Sequence, residues 1–146
     1  MLRQEHRLLQ LGIFLFLCAL IVGIAVPYFA VPRLGLSTHL LGIMQGIFLL
    51  VTGSLWAKLK LSRALSRLAF FAVVYGCVVA WTSNLLAAIW GAGNSMLPIA
   101  AGQARGSALQ EGIISVGLRT AAIALIVAAA LILWGLRDPG GDTTST

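Results

Sequence analysis

The chain has 146 residues, of which 60% are hydrophobic and only 10% are charged. A water-exposed surface needs far more charge than this, so the composition excludes a soluble globular protein. The net charge of +6 does not indicate a nucleic-acid partner, because the basic residues stand singly or in one short loop between apolar runs. The composition therefore predicts an integral membrane protein whose main surroundings are the lipid bilayer.

Four apolar segments are long enough to cross a bilayer as α-helices, since a hydrocarbon core of about 30 Å requires about 20 residues. The predicted spans are residues 8–29, 39–57, 65–89 and 113–136. The predicted fold is all-α, with one domain, residues 1–137, that forms an integral membrane four-helix bundle. Four helices of this size enclose little space alone, so we expect an oligomer. Residues 138–146 (DPGGDTTST) are expected to form a disordered tail.

The distribution of Lys and Arg predicts the orientation in the membrane. The side that would hold both termini and the second loop has seven basic residues, namely Arg3, Arg7, Lys58, Lys60, Arg63, Arg67 and Arg137. The opposite side has three, namely Arg33, Arg105 and Arg119. The excess predicts an inner-membrane protein with both termini in the cytoplasm. Trp56, Trp90 and Trp134 lie at the ends of predicted helices, where we expect them to be interfacial anchors.

The stretch from Pro32 to Gly46 (PRLGLSTHLLGIMQG) holds the most informative polar residues. Ser37 is a plausible N-cap, which places His39 in a first turn where the helix dipole favours a neutral, metal-ligating imidazole. His39, Gly42 and Gly46 share one helix face, and the glycines would let another helix or a flat ligand approach. The alternative is an interfacial histidine beside glycines that only pack helices. One histidine is too few for zinc, but a haem needs only one protein ligand.

Other polar side chains within the predicted spans are candidates for contact with a substrate. Gln45 lies six residues after His39 and could reach a substrate or a neighbouring helix. Asn84 lies at membrane depth, where it is expected either to form an interhelical hydrogen bond or to orient a substrate. Trp81 shares a face with Asn84, and Tyr75 lies deeper at a different angle; packing is the alternative role for both.

The third loop, which runs from Gly91 to Glu111 and contains Asn94, returns to the side of His39. Loops of this length without regular structure are usually lids or binding segments. Arg119 follows this loop inside the fourth span. It is expected either to extend to the membrane interface or to pair with an anionic group such as a haem propionate, with Glu111 as an alternative intrachain partner.

The sequence of residues 31–46, VPRLGLSTHLLGIMQG, resembles the signature of the hydroxylaminobenzene mutase family of small four-helix membrane proteins. Supporting matches are Gly12-x-x-x-Phe16, Leu61-Ser62, Trp81-x-x-Asn84 and Gly91-x-Gly93-Asn94-Ser95. A more distant resemblance is to styrene oxide isomerase, whose second helix carries a histidine, five intervening residues, an amide side chain and a glycine. This chain departs from the isomerase pattern at Gln45, where that pattern has asparagine. It also has Leu11 where a histidine often precedes the first-helix glycine.

The mutase resemblance implies an intramolecular conversion of hydroxylaminobenzene to 2-aminophenol, with no redox partner and no added cosubstrate. The isomerase resemblance implies a ferric haem b, ligated by His39, between the subunits of a homotrimer. The hypothesised chemistry is Lewis-acid catalysis, in which the N–O bond breaks and hydroxyl returns to the ortho carbon of a nitrenium-like arene. The predicted residues are Gln45, Asn84 and Tyr75 as catalytic, His39, Gly42, Gly46 and Arg119 as cofactor-binding, and Met44, Trp81 and Asn94 as substrate-binding.

Three other functions stay open. An epoxide isomerase of the styrene oxide type is the first. A small multi-pass transporter of aromatic compounds is the second, although such proteins typically need a buried carboxylate and all four acidic residues here lie in ends or loops. An electron-transfer haem subunit is the third, but it would more readily use two axial histidines, and the chain offers only His39 and the terminal His6.

Overall fold

The structure is a computed structural model that describes residues 2–137. Its helices are α1 (Leu2–Ala25), α2 (Pro32–Leu55), α3 (Arg63–Trp90), the short α4 (Pro98–Ala101) and α5 (Ala108–Gly135). All regular structure in the described range is helical, which confirms the predicted all-α class. Four of these helices are long and apolar enough to cross a membrane, as expected. The predicted disordered tail lies outside the described residues.

The spanning helices begin earlier than the apolar pattern predicts, because their polar first turns are helical as well. The largest consequence is at α2, which begins at Pro32 after Val31. The fixed φ of proline suits the first helical position. The prediction that Ser37 is the N-cap is therefore wrong, and so is the placement of His39 in the first turn. His39 lies two turns into α2, beyond the reach of the terminal dipole.

Serine caps and one glycine set the bounds of α3 and α5. Ser62 Oγ accepts a hydrogen bond from the backbone N–H of Leu65 at 3.3 Å and begins α3. Ser107 and Gln110 form a reciprocal capping box at the start of α5. Gly91 ends α3 with a φ of 63°, a left-handed conformation that favours glycine. The third loop is therefore residues 91–107, and Glu111 belongs to α5 rather than to the loop.

The helices α2 and α3 form the centre of the molecule, with α1 packed mainly on α2 and α5 packed mainly on α3. Glycine allows the close approach of α1 to α2, since a Cβ added at Gly12 would lie 2.9 Å from the carbonyl oxygen of Gly46. The buried residues of α5 recur every seven positions, at Ile114, Ala121, Ala128 and Gly135. The last three are small, and a seven-residue spacing of small residues is typical of two helices packed closely side by side.

Hydrogen bonds bring the start of α1, the second loop and the end of α5 to one end of the molecule, here called the basic end. Gln4 Oε1 accepts from Trp56 Nε1 at 3.4 Å and from Ser66 Oγ at 3.1 Å. The backbone N–H of Lys60 donates to the carbonyl of Gly135 at 2.8 Å. The opposite end, which holds His39 and the third loop, is called the histidine end.

The three tryptophans at helix ends do not share one role. Trp56 is only 1% exposed and packs edge-on against Phe70, so its prediction as an interfacial anchor is wrong. The reason is local, because the chain turns at Trp56–Lys58 and directs this indole into the core of the basic end. Trp134 is 57% exposed, and the Arg137 guanidinium lies 4.2 Å from its ring centroid, an arrangement that suits an anchor.

Candidate functional site

The side chain of His39 lies in the crevice between α1 and α2. Its Nδ1 is 2.8 Å from the carbonyl oxygen of Ala19. Because a carbonyl can only accept, Nδ1 carries the proton in this contact, and in a neutral imidazole the lone pair is then on Nε2. Gly23 makes room for the ring, since a Cβ there would lie 2.5 Å from Nδ1. The helix α1 therefore fixes the orientation of the histidine and leaves the lone pair of its neutral form on Nε2.

Neither Ala19 nor Gly23 was identified as functional from the sequence. The available signal was their spacing, because two small residues four positions apart lie on one helix face and admit a close neighbour. What the pattern could not reveal is that this neighbour is the ring of His39. The contact of the His39 ring with the Ala19 carbonyl and Gly23 is here called the seat of His39. Because the hydrogen-bond acceptor in it is a backbone carbonyl, no side-chain type marks it in the sequence.

Gly42 lets the indole of Trp81 reach the point where α1, α2 and α3 meet. A Cβ added at Gly42 would lie 2.5 Å from Trp81 Nε1 and 2.7 Å from the Cβ of Ala19. Gly46, one turn further, is covered by α1 in the same way, with a Cβ position 3.0 Å from the backbone of Phe16. The sequence predicts that these glycines let either another helix or a flat ligand approach, and the structure shows a helix against both of them. Their cofactor-binding role stays a prediction.

Two buried polar atoms beside this point have no hydrogen-bond partner within residues 2–137, namely Gln45 Oε1 and Trp81 Nε1. Gln45 is 7% exposed and lies one turn from Gly42. A buried donor or acceptor without a partner costs about 1–3 kcal/mol, so such atoms often mark a place for a ligand or water. Gln45 Oε1 is a hydrogen-bond acceptor and Trp81 Nε1 is a donor. Together they suit a small molecule that carries both a donor and an acceptor.

Asn84 ties α3 to α2 near His39. Its Nδ2 donates to Ser37 Oγ at 3.3 Å, and its Oδ1 lies 3.3 Å from the hydroxyl of Thr38. Thr38 also donates to the carbonyl of Leu34 at 2.8 Å, and Asn84 is only 4% exposed. The first of the two predicted roles, an interhelical hydrogen bond, is thus observed. The substrate-orienting role of Asn84 stays a prediction.

Other predicted site residues lie apart from this group. Tyr75 is 47% exposed and donates to Thr120 Oγ1 at 3.0 Å, and it lines a groove of about 530 Å³ along α3 and α5. Met44 is 70% exposed, because its position on α2 is rotated by about 100° from that of the buried Gln45. Arg119 is exposed on α5. These contacts bring neither Tyr75 nor Arg119 to the histidine, whereas Met44 lies on the exposed face of α2 that borders His39.

The carboxylate of Glu111 organises the third loop instead of pairing with Arg119. Its donors are the backbone N–H groups of Gly93, Asn94, Ser95 and Gly106 and the hydroxyl of Ser95, at 2.8 to 3.2 Å. All of these donors belong to the third loop, so the alternative of an intrachain pair between Glu111 and Arg119 is not what the structure shows. The amide of Asn94 donates to the carbonyl of Gly102 at 2.8 Å and stabilises the same loop. The substrate-binding role of Asn94 stays a prediction.

Comparison with known proteins agrees with the resemblance in the sequence. The profile of the family described as styrene oxide isomerase matches residues 4–137. Hydroxylaminobenzene mutase HabB of Ectopseudomonas oleovorans is 49% identical over 133 residues, which are 91% of this chain and 81% of that protein. Hydroxylaminobenzene mutase HabA of the same organism is 37% identical over 125 residues, which are 86% and 93% of the two chains. No solved structure is significantly similar to this chain.

Proposed function

Because the chain belongs to the hydroxylaminobenzene mutase family and matches the styrene oxide isomerase family over most of its length, we propose that it is a membrane-bound isomerase of arylhydroxylamines. The proposed reaction converts hydroxylaminobenzene-type substrates to 2-aminophenols. The N–O bond breaks, a C–O bond forms at the ortho carbon, and the ortho hydrogen is replaced by one on nitrogen, so no oxidant or reductant is consumed. The observation that carries the proposal is the seat of His39, whose Nδ1 contacts the Ala19 carbonyl.

We propose ferric haem b as the cofactor, and His39 is the residue that would hold its iron. A hydrogen bond from the second ring nitrogen to a backbone carbonyl is typical of metal-ligating histidines, and it makes Nε2 a better ligand. Residues 2–137 contain no cluster of three or more His, Cys, Asp or Glu side chains that could hold a bare metal ion. A haem requires only one protein ligand to its iron. When bound, ferric haem supplies a Lewis acid that polarises the N–O bond.

The chain's own residues have the polar groups to orient the substrate. In the proposed complex, Trp81 Nε1 donates to the hydroxyl oxygen and Gln45 Oε1 accepts from the substrate N–H, which gives both unpaired atoms a partner. Asn84 positions α3 against α2 through Ser37 and Thr38 and so holds Trp81 in place. The surrounding apolar helices exclude water, which would otherwise add to the activated ring at other positions.

The proposed assembly is a homo-oligomer, with a trimer favoured. His39 is only partly buried and borders an outer face of α2 on which Leu36, Leu40 and Met44 are exposed. A second copy against that face would cover the histidine and enclose a cofactor. Light scattering of the detergent-solubilised protein tests the trimer.

The proposed location is the inner membrane, with both termini in the cytoplasm. Seven of the ten basic residues lie towards the basic end, which supports this orientation. Labelling of single cysteines introduced at each end, in intact cells, tests it.

An epoxide isomerase of the styrene oxide type is the second candidate, because the family profile that matches residues 4–137 carries that description. Both reactions are intramolecular and both start from an aromatic substrate that can enter from the lipid. The two candidates are separated by offering hydroxylaminobenzene and styrene oxide to the same preparation. Formation of 2-aminophenol favours the mutase, and rearrangement of the epoxide alone favours the epoxide isomerase.

The first experiment is an absorption spectrum of the protein, purified in detergent from cells supplied with haem precursor, beside that of His39→Gly. We expect a Soret band in the wild type that is lost or shifted in the variant, together with loss of 2-aminophenol formation. Imidazole added to His39→Gly is the control for folding, because it can occupy the vacated ligand position and restore the band. A colourless wild type would contradict the cofactor, and an undiminished rate in His39→Gly would contradict the site.

A further inference from the structure

The first two turns of α1 form a basic pocket at the end of the molecule remote from His39. Arg3, His6, Arg7 and Gln10 are spaced at i, i+3, i+4 and i+7 and therefore share one helix face. These four side chains line an open surface depression of about 350 Å³, and none of its lining side chains among residues 2–137 is a carboxylate. Arg3 and Arg7 are exposed. The pocket thus presents two guanidinium groups, which bind phosphate oxygens in a bidentate manner.

An apolar groove continues from this pocket along the same helix. It has a volume of about 500 Å³ and is lined by Leu9, Gln10, Ile13, Phe14 and Leu17. Gln10 lines both the pocket and the groove, so the two are contiguous. Ile13, Phe14 and Leu17 are 59%, 64% and 54% exposed. A charged surface depression therefore adjoins a shallow apolar groove that continues along the spanning part of α1.

We propose that this face of α1 binds one anionic phospholipid, with its phosphate between Arg3 and Arg7 and an acyl chain along Ile13, Phe14 and Leu17. From Arg3 to Leu17 the helix rises about 21 Å at about 1.5 Å per residue. One leaflet of a hydrocarbon core of about 30 Å is about 15 Å thick. The length of this helix face therefore matches one lipid headgroup plus the acyl chains of one leaflet. The two charges select an anionic headgroup over a zwitterionic one, since each Arg beside an anionic lipid surface gains about fivefold in binding.

The test uses the delipidated full chain in detergent, titrated with phosphatidylglycerol or with phosphatidylcholine of the same acyl chains and followed by native mass spectrometry. The variant Arg3→Gln/Arg7→Gln removes both charges from the pocket. The matched control Arg63→Gln/Arg67→Gln removes two exposed charges from the same end of the molecule but outside the pocket. Glycerol phosphate, which has the phosphate but no acyl chain, is offered as a competitor.

We expect one phosphatidylglycerol per wild-type chain, held more tightly than phosphatidylcholine, with unchanged affinity in the Arg63/Arg67 control and roughly 25-fold weaker affinity in the Arg3/Arg7 variant. Equal weakening in both variants would show general attraction to a basic surface and overturn the site. Equal binding of the two lipids would overturn the headgroup selection. Competition by glycerol phosphate at the same concentration as the lipid would show a phosphate site without an acyl groove. The single variant Arg7→Gln repeats the measurement if the double variant fails to fold by circular dichroism.

Discussion

The interface of α1 with α2 and the interface of α3 with α5 are packed by the same means but differ in what their polar groups do. Glycine brings the helices together in both, with Gly42 of α2 against Ala19 of α1 in the first and Gly76 of α3 against Leu125 of α5 in the second; Gly42 also contacts Trp81 of the neighbouring α3. At the α3–α5 interface the two polar side chains satisfy each other, because the Tyr75 hydroxyl donates a hydrogen bond to Thr120. At the α1–α2 interface the Ala19 carbonyl holds a histidine, and the nearby Gln45 Oε1 and Trp81 Nε1 have no partner within residues 2–137.

This difference distinguishes a packing contact from the proposed binding site. Buried polar groups that satisfy one another add stability and specify a packing arrangement, but they have nothing left to offer a ligand. Buried groups without a partner cost about 1–3 kcal/mol each and still have a hydrogen-bonding capacity that a ligand can use. The two interfaces should therefore respond differently to the same kind of substitution.

The largest effect is expected from Gly42→Ala. The added methyl group meets the Trp81 indole and the Ala19 side chain at 2.5 and 2.7 Å, so α1 or Trp81 must move and the seat of His39 moves with them. We expect a loss of about 1–3 kcal/mol in the free energy of unfolding, measured by thermal or denaturant unfolding in detergent, and a reduced rate per folded molecule.

Gly112→Ala is the matched control for this substitution, because an added Cβ at Gly112 meets no atom within 4 Å. It should leave the rate unchanged and gain up to about 1 kcal/mol from helix propensity. Equal behaviour of the two variants would show that contact with Gly42 does not position the site.

A smaller effect is expected from Gly76→Ala at the α3–α5 interface. The added methyl group meets Leu125 Cγ at 2.6 Å and the carbonyl of Ala121 at 3.2 Å, and the leucine side chain can partly adjust. We expect a loss of about 1 kcal/mol in stability with an unchanged rate per folded molecule. A rate loss comparable to that of Gly42→Ala would contradict the distinction between the two interfaces.

The smallest effects are expected from removing single polar groups. Asn84→Ala deletes the contacts with Ser37 and Thr38, both long at 3.3 Å, and a buried interhelical hydrogen bond in a membrane protein is worth about 0.6 kcal/mol on average. Tyr75→Phe deletes a half-exposed hydrogen bond to Thr120 and should cost less than about 0.6 kcal/mol with the rate retained. Parallel unfolding and activity measurements check both. A large loss of rate in Tyr75→Phe would instead support its predicted catalytic role.

The sequence predicts the spans well because burial in lipid imposes a strong rule on composition over about 20 residues at a time. It predicts helix starts less well, because polar first turns such as that of α2 at Pro32 follow local capping rather than hydropathy. The errors at Ser37 and Trp56 both came from these polar ends. The Glu111 contacts could not be predicted either, since four of its donors are backbone N–H groups, which every residue type except proline can provide.

The sequence by itself determines the helical class, the four apolar spans and the family. Hydropathy and residue motifs depend only on residues that are close together in the sequence. What only the tertiary structure decides is which of the polar residues meet. Side chains at neighbouring positions such as Met44 and Gln45 have similar places in the sequence yet lie on different faces, one exposed and one buried. The histidine has its orientation because a carbonyl of another helix, twenty residues away, faces its Nδ1. Contacts between helices depend on how the helices pack, and that information is held jointly by many residues rather than by any local pattern.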